Sequence, residues 1–145
     1  MCADRYDAYP ITAEDINYKY LKCNGDCEDP DNFYPLTAVD ANDPVGHLIM
    51  RYINKAKTII RLGFVVADDS KRGFGYGKRM MQMAIRYAFD MLKAEKITLG
   101  VFENNPSAYN CYKAVGFKEN PKKEDMVYEI LCEKWKCIEL EVNRK

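Results

Sequence analysis

Three glycines stand at alternate positions in the run KRGFGYGKRMMQMA, which begins at Lys71. They are Gly73, Gly75 and Gly77, with Arg72 before them and Lys78 and Arg79 after. An apolar helical pattern follows at once. The first turn of a helix carries N–H groups with no partner inside the helix, and the dipole adds partial positive charge there. Glycine removes the side chains that would hold an anion away, and it permits φ > 0. Such a stretch can seat phosphate oxygens directly on backbone amides. A purely structural turn is the alternative. No G-x-x-x-x-G-K-[ST] loop is present, and glycines spaced by twos after a series of strands fit the dinucleotide fingerprint poorly.

Other reactive residue types are sparse or poorly grouped. The six cysteines are Cys2, Cys23, Cys27, Cys111, Cys132 and Cys137. Cys23 and Cys27 are spaced C-x3-C, but a zinc site needs about four ligands. His47 is the single histidine and no second close cysteine pair exists, so no metal is expected. Cys111 precedes Tyr112, yet no histidine stands beside it to activate a thiol nucleophile, and packing is its expected role. His47 could serve as a base, or be an ordinary surface or core histidine. Arg51 and Arg61 could line a pocket for an acidic group, or face solvent. Trp135 is expected to cover the sheet or a partner chain.

The elements that must position these residues follow from periodicity. Thr12 is a candidate N-cap for a helix over about residues 13–23. The runs FYPLTAVD, VGHLIMRYI and TIIRLGFVVAD, separated by the turns ANDP and NKAK, predict an antiparallel meander. From about Gly75 to Ala94 the period becomes helical. Met80, Ala84, Tyr87 and Met91 form one apolar line, and Met81, Ile85, Ala88 and Leu92 run beside it. KITLGVFE predicts a strand. NPSAYNCYKAVGF predicts a short helix with Ser107 near its start and Gly116 just past its end. DMVYEILCEKWKCIELEVN supplies the last strand or strands. The order α, β-β-β, α, β, α, β(β) describes a mixed α/β sheet with one β-α-β unit, in a single domain over residues 1–145.

Bulk composition agrees. The chain has 145 residues, 48% hydrophobic and 30% charged, enough for one core. Lys plus Arg and Asp plus Glu number 22 each. Zero net charge gives no global pull toward nucleic acid or an anionic membrane, and neither is expected as a partner. It also argues against a strongly polycationic substrate. No apolar run reaches the roughly 18 residues of a membrane span, and the first residues show no h-region. The expected address is cytoplasmic, with reduced cysteines.

Two motifs carry a family resemblance. RGFGYG, Arg72 to Gly77, resembles the R/Q-x-x-G-x-G/A signature of the GNAT superfamily of acetyl-CoA-dependent N-acetyltransferases. Asn105, Ala108, Tyr112, Gly116 and Phe117 resemble that superfamily's second signature, N-x-x-A-x-x-x-Y-x-x-x-G-F. The two lie in the family's order and separation, and the likeness covers about Tyr34 to Val142. It implies a GNAT-like, mostly antiparallel central sheet flanked by helices. It implies that backbone amides from Gly73 through Phe74, Gly75, Tyr76 and Gly77 to Lys78 hold the pyrophosphate of acetyl-CoA, with Arg72 at the rim. Val65, Val66 and Ala67 would pair with the pantetheine arm like an added strand, at a sheet opened by a bulge. Asn105 would hydrogen-bond the cosubstrate.

The implied chemistry is direct attack of a primary amine on the thioester. A strand N–H at Val65 or Val66 would stabilise the carbonyl oxygen, and Tyr112 would be the general acid toward the leaving thiolate. The base is less defined. Positions where relatives carry a Glu are Arg61 and Gly100 here, and Glu103 is the nearest substitute. Strand alternation would aim Glu103 differently from position 100. A water chain or an already neutral amine would also serve. Compared with the family, the usual first strand and one helix are not evident, which leaves a sheet edge open to pairing and leads to the expectation of a homodimer. The alternative is a degenerate member that binds CoA without turnover. The acceptor, small molecule or peptide amine, is not specified.

Overall fold

The structure is a computed structural model that describes residues 13–14, 31–68, 70, 73–130 and 132–145. Ala13 and Glu14 are helical; the rest of the helix expected over residues 13–23 lies outside the described residues. The described elements are β1 (Tyr34–Asp40), β2 (Asp43–Tyr52), β3 (Ile59–Ala67), α1 (Tyr76–Asp90), β4 (Lys96–Phe102), α2 (Pro106–Ala114), β5 (Lys118–Glu119), β6 (Met126–Ile130) and β7 (Glu133–Asn143). They form one seven-stranded sheet in the order β1-β2-β3-β4-β7-β5, with β6 also paired to β7. All neighbours are antiparallel except β3 and β4, which the α1 crossover makes parallel. The mixed, mostly antiparallel sheet expected from the sequence is the one observed.

Turn chemistry sets the meander. Ala41 and Asn42 both have positive φ (48° and 74°), as the two-residue turns matched to strand twist require. The Asn54 side chain closes the next turn, its Oδ1 accepting from the N–H groups of Thr58 (3.1 Å) and Ile59 (3.0 Å). At the far end, Cys132 (φ 65°) lies in the β6–β7 turn. The tail expected as one or two strands is thus a hairpin, preceded by the unexpected two-residue strand β5, which pairs the same strand, β7.

Both described helices contribute to one core. Met80, Met81, Ala84 and Ala88 of α1 are buried against strand residues such as Leu48, Met50, Ile60 and Leu99. Tyr112 of α2 and Phe117 complete it. Burying a side chain of Met or Leu size contributes about 1.5–3 kcal/mol. The line Met81–Ile85–Ala88–Leu92 packs on this core as expected. The companion line does not persist: Tyr87 is 36% exposed and Met91 68%. The two lines share one spacing but are offset by about 100° around the helix, which leaves Tyr87 at the margin of the buried arc, and the helix ends at Asp90, so Met91 lies beyond it.

Alternation places a second set of residues on the opposite sheet face. It includes Arg61, Thr98, Gly100, Cys137 and Glu139, with Phe102 packed edge-to-face on Trp135 (5.2 Å) and Tyr128 (6.0 Å). Trp135 therefore covers the sheet. Cys111 and Cys137 are free thiols. Cys132 is disulfide-bonded, a correction to the expectation of uniformly reduced cysteines; redox state follows from surroundings that spacing does not encode.

Candidate active site

The sheet splits between β3 and β4. Their parallel register holds for three pairs, Ile59↔Lys96, Ile60↔Ile97 and Arg61↔Thr98, and stops. Beyond it β3 stays with β2 as far as Ala67, while β4 stays with β7 as far as Phe102. A bulge drives the departure. His47 faces Val66 and Ile49 faces Gly63, so Phe64 and Val65 together stand opposite Leu48. Phe64 takes φ 47°, a conformation that costs a non-glycine residue roughly 1–2 kcal/mol. The extra residue flips the alternation. Ile60 and Leu62 face the core before it, and Val65 packs on the core after it. Phe64 and Val66 are each 60% exposed.

The glycine run continues from the freed end of β3. Gly73 and Gly75 take φ 87° and 73°, and a Cβ on either would meet nothing within 4 Å. Gly75 is the N-cap of α1; no side chain caps the helix and no acidic residue stands in its first turn. The N-cap residue itself therefore offers no side-chain acceptor to the amides that open the helix. Gly77 is within the helix, its Cβ position 3.9 Å from that of Ala67. Lys78 and Arg79 are exposed in the first turn; Arg72 lies outside the described residues. Tyr76 ties the helix start to the β1–β2 turn by donating its hydroxyl proton to the Asp40 carboxylate, which pushes the phenol's pKa up. Phe74 is 69% exposed, its ring 6.1 Å from that of Tyr76.

The second motif builds α2. Asn105 is its N-cap, with Oδ1 accepting from the Ala108 N–H at 3.2 Å, and Pro106 opens the helix. The cap uses the amide oxygen and leaves the Nδ2 donors to other partners. Gly116, at φ 112°, lets the chain turn back so that Phe117 N–H reaches Tyr112 O at 3.0 Å. Tyr112 is the buried residue of α2, its ring edge-on to Phe117 at 6.2 Å. Burial first, and the neighbouring Cys111 second, push its pKa up to about 12. Burial also pushes the Cys111 thiol up, against an opposing pull from the Lys78 ammonium. That pull brings the start of α1 and the middle of α2 into one electrostatic neighbourhood, as the helix–helix contact requires.

Glu103 is exposed in the turn after β4, where its backbone N–H donates to Lys136 O at 2.9 Å. The Asp125 carboxylate, 3.1 Å from Lys136 Nζ, is the main cause that raises the Lys136 pKa, with the Glu103 charge a smaller one. His47 shares its Nδ1 with Thr37 Oγ1 at 3.2 Å. Arg61 neither lines an open pocket nor points freely to solvent: it makes a two-pronged pair with Glu139, 2.8 Å on each prong. Sequence reading missed Glu139 altogether. The alternation of ELEV marks it as one face of a strand, but nothing local says that an arginine distant in sequence lies opposite. Beside this pair a cleft of about 190 Å³ is lined by Ile59, Thr98, Lys123 and Glu139 among others.

Residues 1–117 match the acetyltransferase (GNAT) family. A stretch of 53 residues is 36% identical to the spermine/spermidine N(1)-acetyltransferase of Bacillus subtilis strain 168, covering 37% of this chain and 35% of that protein. The probable spermine N(1)-acetyltransferase of Bacillus subtilis subsp. natto matches to the same extent. The match thus spans about a third of the length of these curated relatives. Among solved structures, spermidine N-acetyltransferase from Vibrio cholerae in complex with CoA and spermine superposes with a TM-score of 0.77 at 19% identity, over 97% of this chain and 80% of that one. The dodecameric structure of the Vibrio cholerae enzyme in an intermediate state gives 0.73 at 18%, over 99% and 81%. At such identities the likeness is one of fold. The chain belongs to the acetyltransferase (GNAT) family.

Proposed function

We propose that this protein transfers acetyl from acetyl-CoA to a primary amine, and that the acceptor is a polyamine. The observation that carries the reading is the split between β3 and β4, with the glycine N-cap of α1 following β3 in the chain. An extended thioester arm can add to the edge of β3 at Val65, Val66 and Ala67, while its diphosphate meets the amides from Gly73 to Lys78. Arg72 adds charge at that rim, and the Nδ2 of Asn105 offers a further donor. Both strand edges are supplied by the fold before any ligand arrives, so little ordering cost falls on binding.

Amine attack moves charge onto the thioester oxygen, where the N–H of Val65 or Val66 would meet it. The tetrahedral intermediate then expels a thiolate. Tyr112, with a pKa near 12, keeps its proton at every physiological pH. An alkylthiol has a pKa near 8.5, so full transfer from such a phenol to the thiolate is uphill by roughly 5 kcal/mol. The Tyr112 role is therefore a hydrogen bond that strengthens as charge builds on sulfur, with net protonation completed by solvent. Glu103 is the carboxylate proposed to draw the proton from the incoming amine through water.

The polyamine assignment rests on the named relatives. A chain of zero net charge exerts no long-range pull on a polycation, so recognition would depend on local carboxylates. A cytoplasmic setting belongs to the proposal, against which the disulfide at Cys132 stands. The test is thiol release from acetyl-CoA with spermidine, spermine, an N-terminal peptide and a lysine peptide. Spermidine or spermine should give the highest kcat/KM. Preference for either peptide overturns the acceptor class. CoA binding without thiol release from any amine overturns the activity.

A further inference from the structure

Arg61 is the last residue of β3 that pairs with β4, its register partner being Thr98. At that point the backbone bonds between the strands end, and a side-chain link takes over. The guanidinium crosses β4 altogether. Its two nitrogens donate to the two carboxylate oxygens of Glu139 on β7, at 2.8 Å each, and Nη1 also reaches toward Thr98 Oγ1 at 3.5 Å. Glu139 stands opposite Gly100 in the β4–β7 register, so the link passes over Gly100. A Cβ there would sit 3.1 Å from Arg61 Nη2, 3.4 Å from Glu139 Oε1 and 2.7 Å from Cys137 Sγ. The bare glycine is what lets the link lie flat on the sheet. The side chains are 26% and 11% exposed, and Lys123 Nζ stands 3.8 Å from Glu139 on the outer side.

We propose that Arg61 and Glu139 are a positioning pair, a clasp across β4 that fixes where β3 and β4 separate. This inference rests on the reading that the thioester arm lies in that split. A forked guanidinium–carboxylate pair has defined geometry as well as strength, so it holds β3 against β7 at one spacing and sets the apex of the wedge. Without it, the strands can separate a pair earlier or close a pair later. Either shift moves the N–H groups of Val65 and Val66 relative to a thioester whose diphosphate is anchored separately at Gly73–Lys78. Misplacement near 1 Å at the reacting atoms can cost about a hundredfold in rate.

Three full-length proteins test it: wild type, Arg61→Met, and Arg61→Met with Glu139→Met. The single variant leaves the Glu139 carboxylate with only the Lys123 ammonium at 3.8 Å and can lose stability for that reason alone. The double variant removes both charges, an exchange that buried ion pairs often tolerate. For the double variant, calorimetry with CoA should give a Kd within about threefold of wild type, because the diphosphate site is untouched, while kcat with acetyl-CoA and spermidine falls at least tenfold. In ligand-free protein, amide exchange at residues 62–64 and 99–101 should quicken about tenfold as the wedge loosens. Where wild type turns over, a folded double variant with unchanged kcat overturns the clasp, whatever its exchange. Should wild type neither bind CoA nor turn over, the coenzyme reading fails instead. The clasp is then decided by exchange alone: faster supports it, unchanged overturns it.

Discussion

A phenol whose pKa is raised to about 12 makes two separable statements about Tyr112. One concerns catalysis. The proton stays on oxygen well above neutral pH, so the group can donate a hydrogen bond throughout the working range but is a poor source of a whole proton. Replacing it with Phe should lower kcat about tenfold to a hundredfold and leave the Kd for CoA within about threefold, since the bond matters only when sulfur carries charge. Equal rates would remove Tyr112 from the chemistry. The other concerns stability. The folded pKa exceeds the unfolded value of about 10, so the unfolded chain loses its proton first as pH rises. The contribution is fully present below pH 10 and declines between about 10 and 12, so alkaline unfolding should steepen over that window. Tyr112→Phe should flatten the decline, as read by urea midpoints at pH 9 and pH 11. An identical decline in both proteins would show that other tyrosines, such as Tyr52 with its burial-raised pKa, dominate it.

The glycine loop and the strand it follows work as elements, through backbone rather than side chains. Gly75 and Gly77 make a controlled contrast. Gly75 has φ 73° and open space at its Cβ position; Gly77 lies in the helix with one ordinary contact, at 3.9 Å. Gly75→Ala should cost about 1–2 kcal/mol for the left-handed backbone, and should raise the KM for acetyl-CoA about tenfold, because the methyl projects where the diphosphate is proposed to lie. Gly77→Ala should be neutral or stabilise by up to about 1 kcal/mol through helix propensity. Thermal melts and acetyl-CoA titrations separate the two, and an unchanged KM in Gly75→Ala would move the anion elsewhere. Spacing made this loop readable, as it did the strands around it, because glycine at positive φ and period-two alternation are local signals. The bulge at Phe64 was readable only through family likeness. No residue type there calls for φ 47°, and tertiary packing of Val65 on the core imposes it. The Arg61–Glu139 pair was unreadable for a related reason: register between β3, β4 and β7 is a property of the assembled sheet.

At the scale of the whole molecule, the sheet ends govern what else the protein meets. Among the described residues, β1 pairs on one side only, with β2, and β6 pairs on one side only, with β7. The β6 edge is five residues long, and Met126 and Val127 on it are 56% and 61% exposed. An apolar edge of this kind invites pairing with a second chain, and proteins commonly blunt such edges with charge. The expected outcome is self-association, with a homodimer as the smallest unit. Sedimentation at micromolar concentration should give a mass at least twice that of the 145-residue chain. Val127→Lys, which places an ammonium on the β6 edge without touching the split between β3 and β4, should shift the protein toward monomer and weaken the dimer at least tenfold. Loss of association with retained CoA binding would show that the ligand site is complete within one chain. Loss of both would make assembly necessary to the site, and a wild-type protein that sediments as a monomer would leave the β6 edge solvated.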